Sequence, residues 1–317
     1  MEVLERISGA IREAGPVIDL REMVSLYAPL HETEPYQGVS VRRDLAYGPD
    51  QRHRADLFVE PGAGNRPVLL FVHGGGYIAG DRRVRAGSSF YDNVGLWGAR
   101  HGFLSVTMSY RLAPGAPWPS AQEDIAAALA WLDANAAAFG GDPRTVVLMG
   151  HSAGATHAAC FLGQSACWPD RMPVRAAILL STTLQATADE DIAPGDAQFI
   201  EHERAYFGHD QSSYPARGAL PGMIECGIPT LLVSPEFDPP FFKRHYDHLA
   251  RLLPADRSIY QANSLAGHNH MSQIFCLNTR DTRLGDAILA FVRNALGRSW
   301  QTGGAPTAPR HFDGARS

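Results

Sequence analysis

Lysine is nearly missing from this chain. Lys243 is the only one among 317 residues, and arginine supplies the rest of the positive charge. We attach no function to that bias. An excess of positive charge is missing too. Lys and Arg total 28 against 33 Asp and Glu, a net charge of −5, so there is no basic footprint for nucleic acid. No run approaches the roughly 18 apolar residues of a membrane-spanning helix. The first twenty residues mix Glu and Arg with apolar residues and lack the basic start and apolar core of a signal peptide. The expectation is a soluble, cytoplasmic protein without membrane or nucleic-acid partners. Cys160, Cys167, Cys226 and Cys276 show no CxxC spacing, so free and mostly buried thiols are expected. The 13 histidines include no His-x-x-x-His pair with a carboxylate, so neither metal nor cofactor is expected.

Apolar residues make up 45% of the chain, enough for a full core. Residues 1–30 carry helical spacing, punctuated by Pro16 and Pro29. Two strands, 39–47 and 55–59, flank a turn at Gly48-Pro49-Asp50. Beyond them strands at 68–72, 103–110, 145–149, 176–180, 230–234 and 258–261 alternate with helices at 86–101, 121–138, from 153, 241–252 and 284–296. That alternation predicts an α/β fold, a mainly parallel eight-stranded sheet with helices on both faces. Residues 182–228 break the rhythm. They are too long for a simple crossover and hold a helical stretch at 196–208, so they read as an inserted helical cap. The expected organisation is an N-terminal helical cap segment (1–38), a core in two parts (39–181 and 229–297), the insert between them, and a disordered tail (298–317).

Two glycine motifs carry the chemistry. Gly150-His151-Ser152-Ala153-Gly154 follows the strand Thr145-Val146-Val147-Leu148-Met149 and precedes a helix, the setting of a nucleophile elbow. A serine on so sharp a turn projects its hydroxyl above the sheet, and side chains at 150 and 154 would collide with strand and helix. The run His73-Gly74-Gly75-Gly76-Tyr77 directly follows a buried strand. Bare backbone there can approach a substrate carbonyl and stabilise its developing negative charge. The oxyanion donors are assigned to Gly75, Gly76 and Ala153, with Gly74 as a substitute for one of them. His73 is expected to fix the loop. A serine nucleophile needs a base oriented by an acid, here in the chain order Ser, acid, His. Glu236 and Asp238 both lie at a strand end, and Asp238 is chosen. His268 and His270 follow the next strand, and His270 is favoured.

These stretches together resemble the hormone-sensitive-lipase-type branch of the α/β-hydrolases. The matching pieces are HGGGY (73–77), SYRLAPGAPWPSAQEDIAAALAWL (109–132), GHSAG (150–154), AYFGHDQSSYP (205–215), EFDPP (236–240) and GHNH (267–270). The resemblance implies the α/β-hydrolase fold, a cap over the site and a serine carboxylesterase with Ser152, Asp238 and His270 as its triad. The family's Gly-x-x-His pattern falls on Gly267 and His270. Pro239-Pro240-Phe241-Phe242 after the acid and Met271-Ser272 after the histidine depart from the family and resemble kynurenine formamidases instead. The expected function is hydrolysis of esters with small to medium acyl groups through an acyl-enzyme. The alternatives are an arylformamidase-like amide hydrolase on the same fold, and a non-catalytic small-molecule receptor. Tyr77, Phe207 and Tyr214 are the candidate substrate-binding aromatics, with Trp118, Phe199, Tyr206 and Phe237 near them. The expected partner is a small-molecule ester, with a homodimer expected only by base rate.

Overall fold

A computed structural model describes residues 2–62, 64–84, 87–252 and 260–297. The tail expected at 298–317 lies outside the described residues. The helices α1 (Glu2–Ala14) and α2 (Leu20–Tyr27) open the chain. The strands β1 (Ser40–Ala46) and β2 (Arg54–Val59) follow, joined by the expected turn, where Asp50 O accepts the His53 amide. After them come β3 (Arg66–Val72), α3 (Asp92–Arg100), β4 (Leu104–Met108), α4 (Ser120–Asn135), β5 (Gly141–His151), α5 (Ala153–Gly163) and β6 (Val174–Leu180). The 182–228 stretch holds α6 (Ala197–Phe207) and the short helices α7 (Tyr214–Arg217) and α8 (Gly222–Glu225). The chain closes with β7 (Thr230–Phe237), α9 (Pro240–Leu252), β8 (Tyr260–Asn269), α10 (Ser272–Phe275) and α11 (Arg283–Leu296).

The eight strands form one sheet in the order β1-β2-β4-β3-β5-β6-β7-β8. β2 is antiparallel to both β1 and β4, and the remaining pairs are parallel. Both faces are covered, which is why the central strands are apolar throughout rather than alternating. In β3, Val68, Leu70 and Val72 enter one core with Ile125 and Leu129 of α4 and Phe161 of α5. Leu69 and Phe71 point the other way, toward Val94 and Trp97 of α3 and Ile288 and Val292 of α11. No helix among the described residues is long and apolar enough to cross a membrane.

Three elements differ from their expected bounds. α3 begins at Asp92, not near 86, because Gly87 takes a left-handed φ of +75° and Ser88 Oγ accepts the Phe90 amide. Both features stop a helix from forming earlier. β5 extends back to Gly141, whose register partner is Arg66 of β3. β8 runs on through Ser264, Gly267 and Asn269, residues with weak strand preference, because β7 supplies a template along its length. All four cysteines are free, Cys160 and Cys276 buried and the other two half-buried.

Candidate active site

The site lies along one edge of the sheet, where β3, β5, β7 and β8 end. Ser152 follows β5 directly and sits at φ +56°, ψ −126°, a left-handed backbone that β-carbon sterics disfavour. Its amide donates to Leu180 O at 2.8 Å, and its carbonyl accepts the Ala155 and Thr156 amides as α5 begins. The flanking glycines are there for space. A Cβ on Gly150 would stand 2.4 Å from Gly154 O, and one on Gly154 would stand 2.2 Å from Val72 O.

The structure brings Ser152, His270 and Asp238 into one hydrogen-bonded chain. Ser152 Oγ and His270 Nε2 are 2.9 Å apart. His270 Nδ1 donates to Asp238 Oδ1 at 2.8 Å. Asp238 Oδ2 accepts from the hydroxyls of Ser181 at 2.7 Å and Ser234 at 3.3 Å. His270 and Asp238 are each 2% exposed. The His270 carbonyl accepts from His151 Nε2 at 2.8 Å and from Gln273 Nε2 at 3.1 Å, so His270 is held from behind as well. Gln273 also donates to the Ser181 hydroxyl. The Pro239–Phe242 departure places two rings at the site. Phe241 and Phe242 open α9 and line the cavity, and the Phe242 ring centroid is 4.4 Å from that of His270.

The two alternatives face elsewhere. Glu236 is exposed, and its Oε2 accepts the Gly267 amide at 2.7 Å. His268 points to Ser272, Asp281 and Arg283. Burial pushes the Asp281 carboxyl up, but hydrogen bonds from Arg283 and His268 outweigh it, leaving Asp281 well below the usual carboxylate range.

The glycine run faces Ser152 from the end of β3. Gly75 and Gly76 take φ of +136° and +58°. A Cβ on Gly74 would come within 3.0 Å of Ser152 Cβ, and one on Gly75 within 2.0 Å of Ala79 O. Among the described residues, the amides of Gly75, Gly76 and Ala153 donate no hydrogen bond. The loop is braced from below. His73 Nδ1 donates to Gly74 O at 2.7 Å, the Tyr110 hydroxyl to His73 O at 2.9 Å, and the Ala113 amide to Tyr77 O at 3.0 Å. Asp124 of α4 holds the 110–113 segment through the Arg111 amide and guanidinium, both at 2.7 Å.

A cavity of about 520 Å³ opens over Ser152. Tyr77 lines it, and its hydroxyl meets Thr183 Oγ1 at 3.2 Å. Phe207 and Tyr214 do not line it, a correction to the sequence expectation. Phe207 is fully buried in the core edge-on to Tyr77 and Tyr206, and Tyr214 is buried with its hydroxyl on Gly208 O. α6 presents Gln198, Phe199, His202 and Glu203 to the cavity instead. Ile18 and Leu20, near the chain start, complete that wall. Sequence reading missed Glu203. The available signal was an acidic residue within the buried stripe Ile200, Glu203, Tyr206, Phe207.

Comparison with known proteins gives a consistent picture. A family model described as BD-FAE matches residues 55–170. A probable isoprenylcysteine alpha-carbonyl methylesterase from Arabidopsis thaliana is 36% identical over 127 residues, 40% of this chain and 29% of that protein. Esterase LipQ from Mycobacterium tuberculosis is 31% identical over 214 residues, 64% of this chain and 47% of that protein. The chain thus spans less than half the length of these curated relatives. Among solved structures, esterase B from Lactobacillus rhamnosis superposes with a TM-score of 0.70 at 16% identity, covering 94% of this chain and 96% of that one. An esterase from the bacterial hormone-sensitive lipase family gives 0.63 at 22% identity, covering 94% and 99%.

Proposed function

We propose that this α/β-hydrolase cleaves carboxylic esters of small to medium acyl groups through a covalent acyl-serine. The observation that carries the reading is the Ser152–His270–Asp238 chain, at 2.9 and 2.8 Å, beside amides that have no other acceptor among the described residues. Ser152 Oγ attacks the ester carbonyl carbon while His270 Nε2 takes its proton. The carbonyl electrons move onto oxygen, which the amides of Gly75, Gly76 and Ala153 hold. Removing a single such donor raises the barrier by roughly 2.7–4 kcal/mol. The tetrahedral intermediate collapses, the alkoxide leaves, and His270 returns the proton to it. Water, deprotonated by the same imidazole, then attacks the acyl-serine and releases the acid. Asp238 keeps Nδ1 protonated and stabilises the imidazolium. Residues 1–38 and 182–228 act as the cap, an assignment supported by Ile18, Leu20 and α6 in the cavity wall.

The test is turnover of p-nitrophenyl butyrate with fluorophosphonate labelling, on wild type and Ser152→Ala. The wild type turns over and labels at Ser152, and the folded variant does neither. Near-normal turnover by Ser152→Ala would sink the mechanism. An aryl formamide cleaved in preference to every ester would move the substrate class to amides.

A further inference from the structure

One residue of the cavity wall is an acid that ester hydrolysis does not use. Glu203 is 2% exposed, and it lines the space above Ser152. Its Oε2 accepts the Thr187 amide at 2.8 Å. Among the described residues its Oε1 has no hydrogen-bond partner, and neither has the Thr187 hydroxyl. No cation pairs with Glu203 among the described residues. Asp196, the nearest charged influence, is itself paired with Arg244. Burial lowers the pKa of His202, on the same helix, which disfavours a compensating charge there. Burial pushes the Glu203 carboxyl up to about 7. The Thr187 amide lowers it in part, and Asp196 raises it further. A buried acceptor left unpaired is costly, and a buried unpaired charge more so. Such a group calls for a donor arriving with the ligand.

We propose that Glu203 is a specificity-determining residue, and that the site selects esters whose buried chain ends in a protonated amine. This rests on the ester-hydrolase reading. An ammonium supplies both things Glu203 lacks, a donor for Oε1 and a counter-charge, whereas a hydroxyl supplies only the first. The rest of the wall fits an alkyl linker, since Ile18, Leu20, Phe241 and Phe242 are apolar. Tyr77 and Phe199 add aromatic rings to that lining, and aromatic rings attract cations.

Two matched series test the proposal. One compares p-nitrophenyl 6-aminohexanoate with the heptanoate and the 6-hydroxyhexanoate. The other compares 6-aminohexyl butyrate with heptyl and 6-hydroxyhexyl butyrate, which places the amine on the alcohol side. In at least one series the wild type should favour the ammonium ester at least tenfold in kcat/KM, and Glu203→Gln should bring that ratio to about one. No preference in either series, an undiminished ratio in Glu203→Gln, or a hydroxyl ester that outruns the ammonium ester would overturn it. Binding gives a readout without turnover. Hexylammonium should raise the melting temperature of both wild type and Ser152→Ala, hexanol should not, and Glu203→Gln should lose the shift. That experiment separates failure of the ammonium site from failure of the esterase reading. If Glu203→Gln does not fold, the wild-type ratio and shift decide alone.

Discussion

Two buried carboxylates, Asp238 behind His270 and Glu203 in the cavity wall, are treated oppositely. Asp238 receives hydrogen bonds from His270, Ser181 and Ser234. Glu203, equally buried, receives one backbone N–H and keeps one oxygen unpaired among the described residues. Asp238 stands at a strand end, where neighbouring strands deliver donors from β6 and β8. Glu203 stands on a helix face packed largely by apolar groups. Burial alone therefore does not assign a carboxylate its role. The donors supplied by the surrounding elements do, and a carboxylate left short of donors is suited to a ligand rather than to a neighbour.

The largest expected effect tests the satisfied side. Asp238→Asn should lower kcat by about 10³–10⁴-fold, because an amide cannot hold His270 in the required tautomer. Glu236→Gln should leave kcat nearly unchanged. Steady-state kinetics on both variants checks the pair, and a reversed order would remove the basis of the comparison. Next comes the wall behind Glu203. Phe207→Ala should cost about 3–5 kcal/mol of stability in denaturant titration without altering chain-length preference. A changed preference would mean that the ring does reach substrate.

A smaller effect concerns Glu203 itself. Its folded pKa, about 7, lies above the ordinary 4.5, so the unfolded chain releases this proton first as pH rises. Stability is therefore lost between about pH 4.5 and 7 and stays lost above. Glu203→Gln should be more stable than wild type at pH 8 by about 1–3 kcal/mol, with little difference at pH 4.5. Melting curves across that range check the sign. The smallest effect concerns His157, boxed edge-on by Tyr77, Tyr110 and Tyr206, with both ring nitrogens unpaired among the described residues. Burial, then the charge of His73, pushes its pKa down to about 3. The unfolded chain takes up a proton below pH 6.5 that the native one refuses, so stability falls as pH drops from there. His157→Leu should be near neutral at pH 8 and stabilising by about 1 kcal/mol at pH 5. An equal effect at both pH values would refute the linkage.

The glycine loop and the elbow were readable because their constraints are local. Gly75 and Gly76 need left-handed backbone, and Gly150 and Gly154 lack room for a Cβ against atoms fixed by adjacent strand and helix. The alternating strands and helices were readable from period and length. Helix starts were less so. α3 yielded its first turn to Gly87 and Ser88, whose effect depends on how the preceding loop lies. The aromatic residues were the least legible. Phe199, Tyr206, Phe207 and Tyr214 lie within sixteen residues of chain, yet only Phe199 lines the cavity. Helical phase, once packed, decided that.

By its own residue order, the chain settles that a serine stands on a forced turn beside a glycine run at the end of a buried strand. Those are short-range sterics, which hold whatever the rest of the protein does. Tertiary structure alone decides which histidine meets Ser152, 118 residues away, which acid meets that histidine, 32 residues away, and which acid on α6 keeps one carboxyl oxygen unpaired among the described residues. Such pairings form only when separate strands and helices pack side by side, and no local pattern encodes the direction from which a donor will arrive.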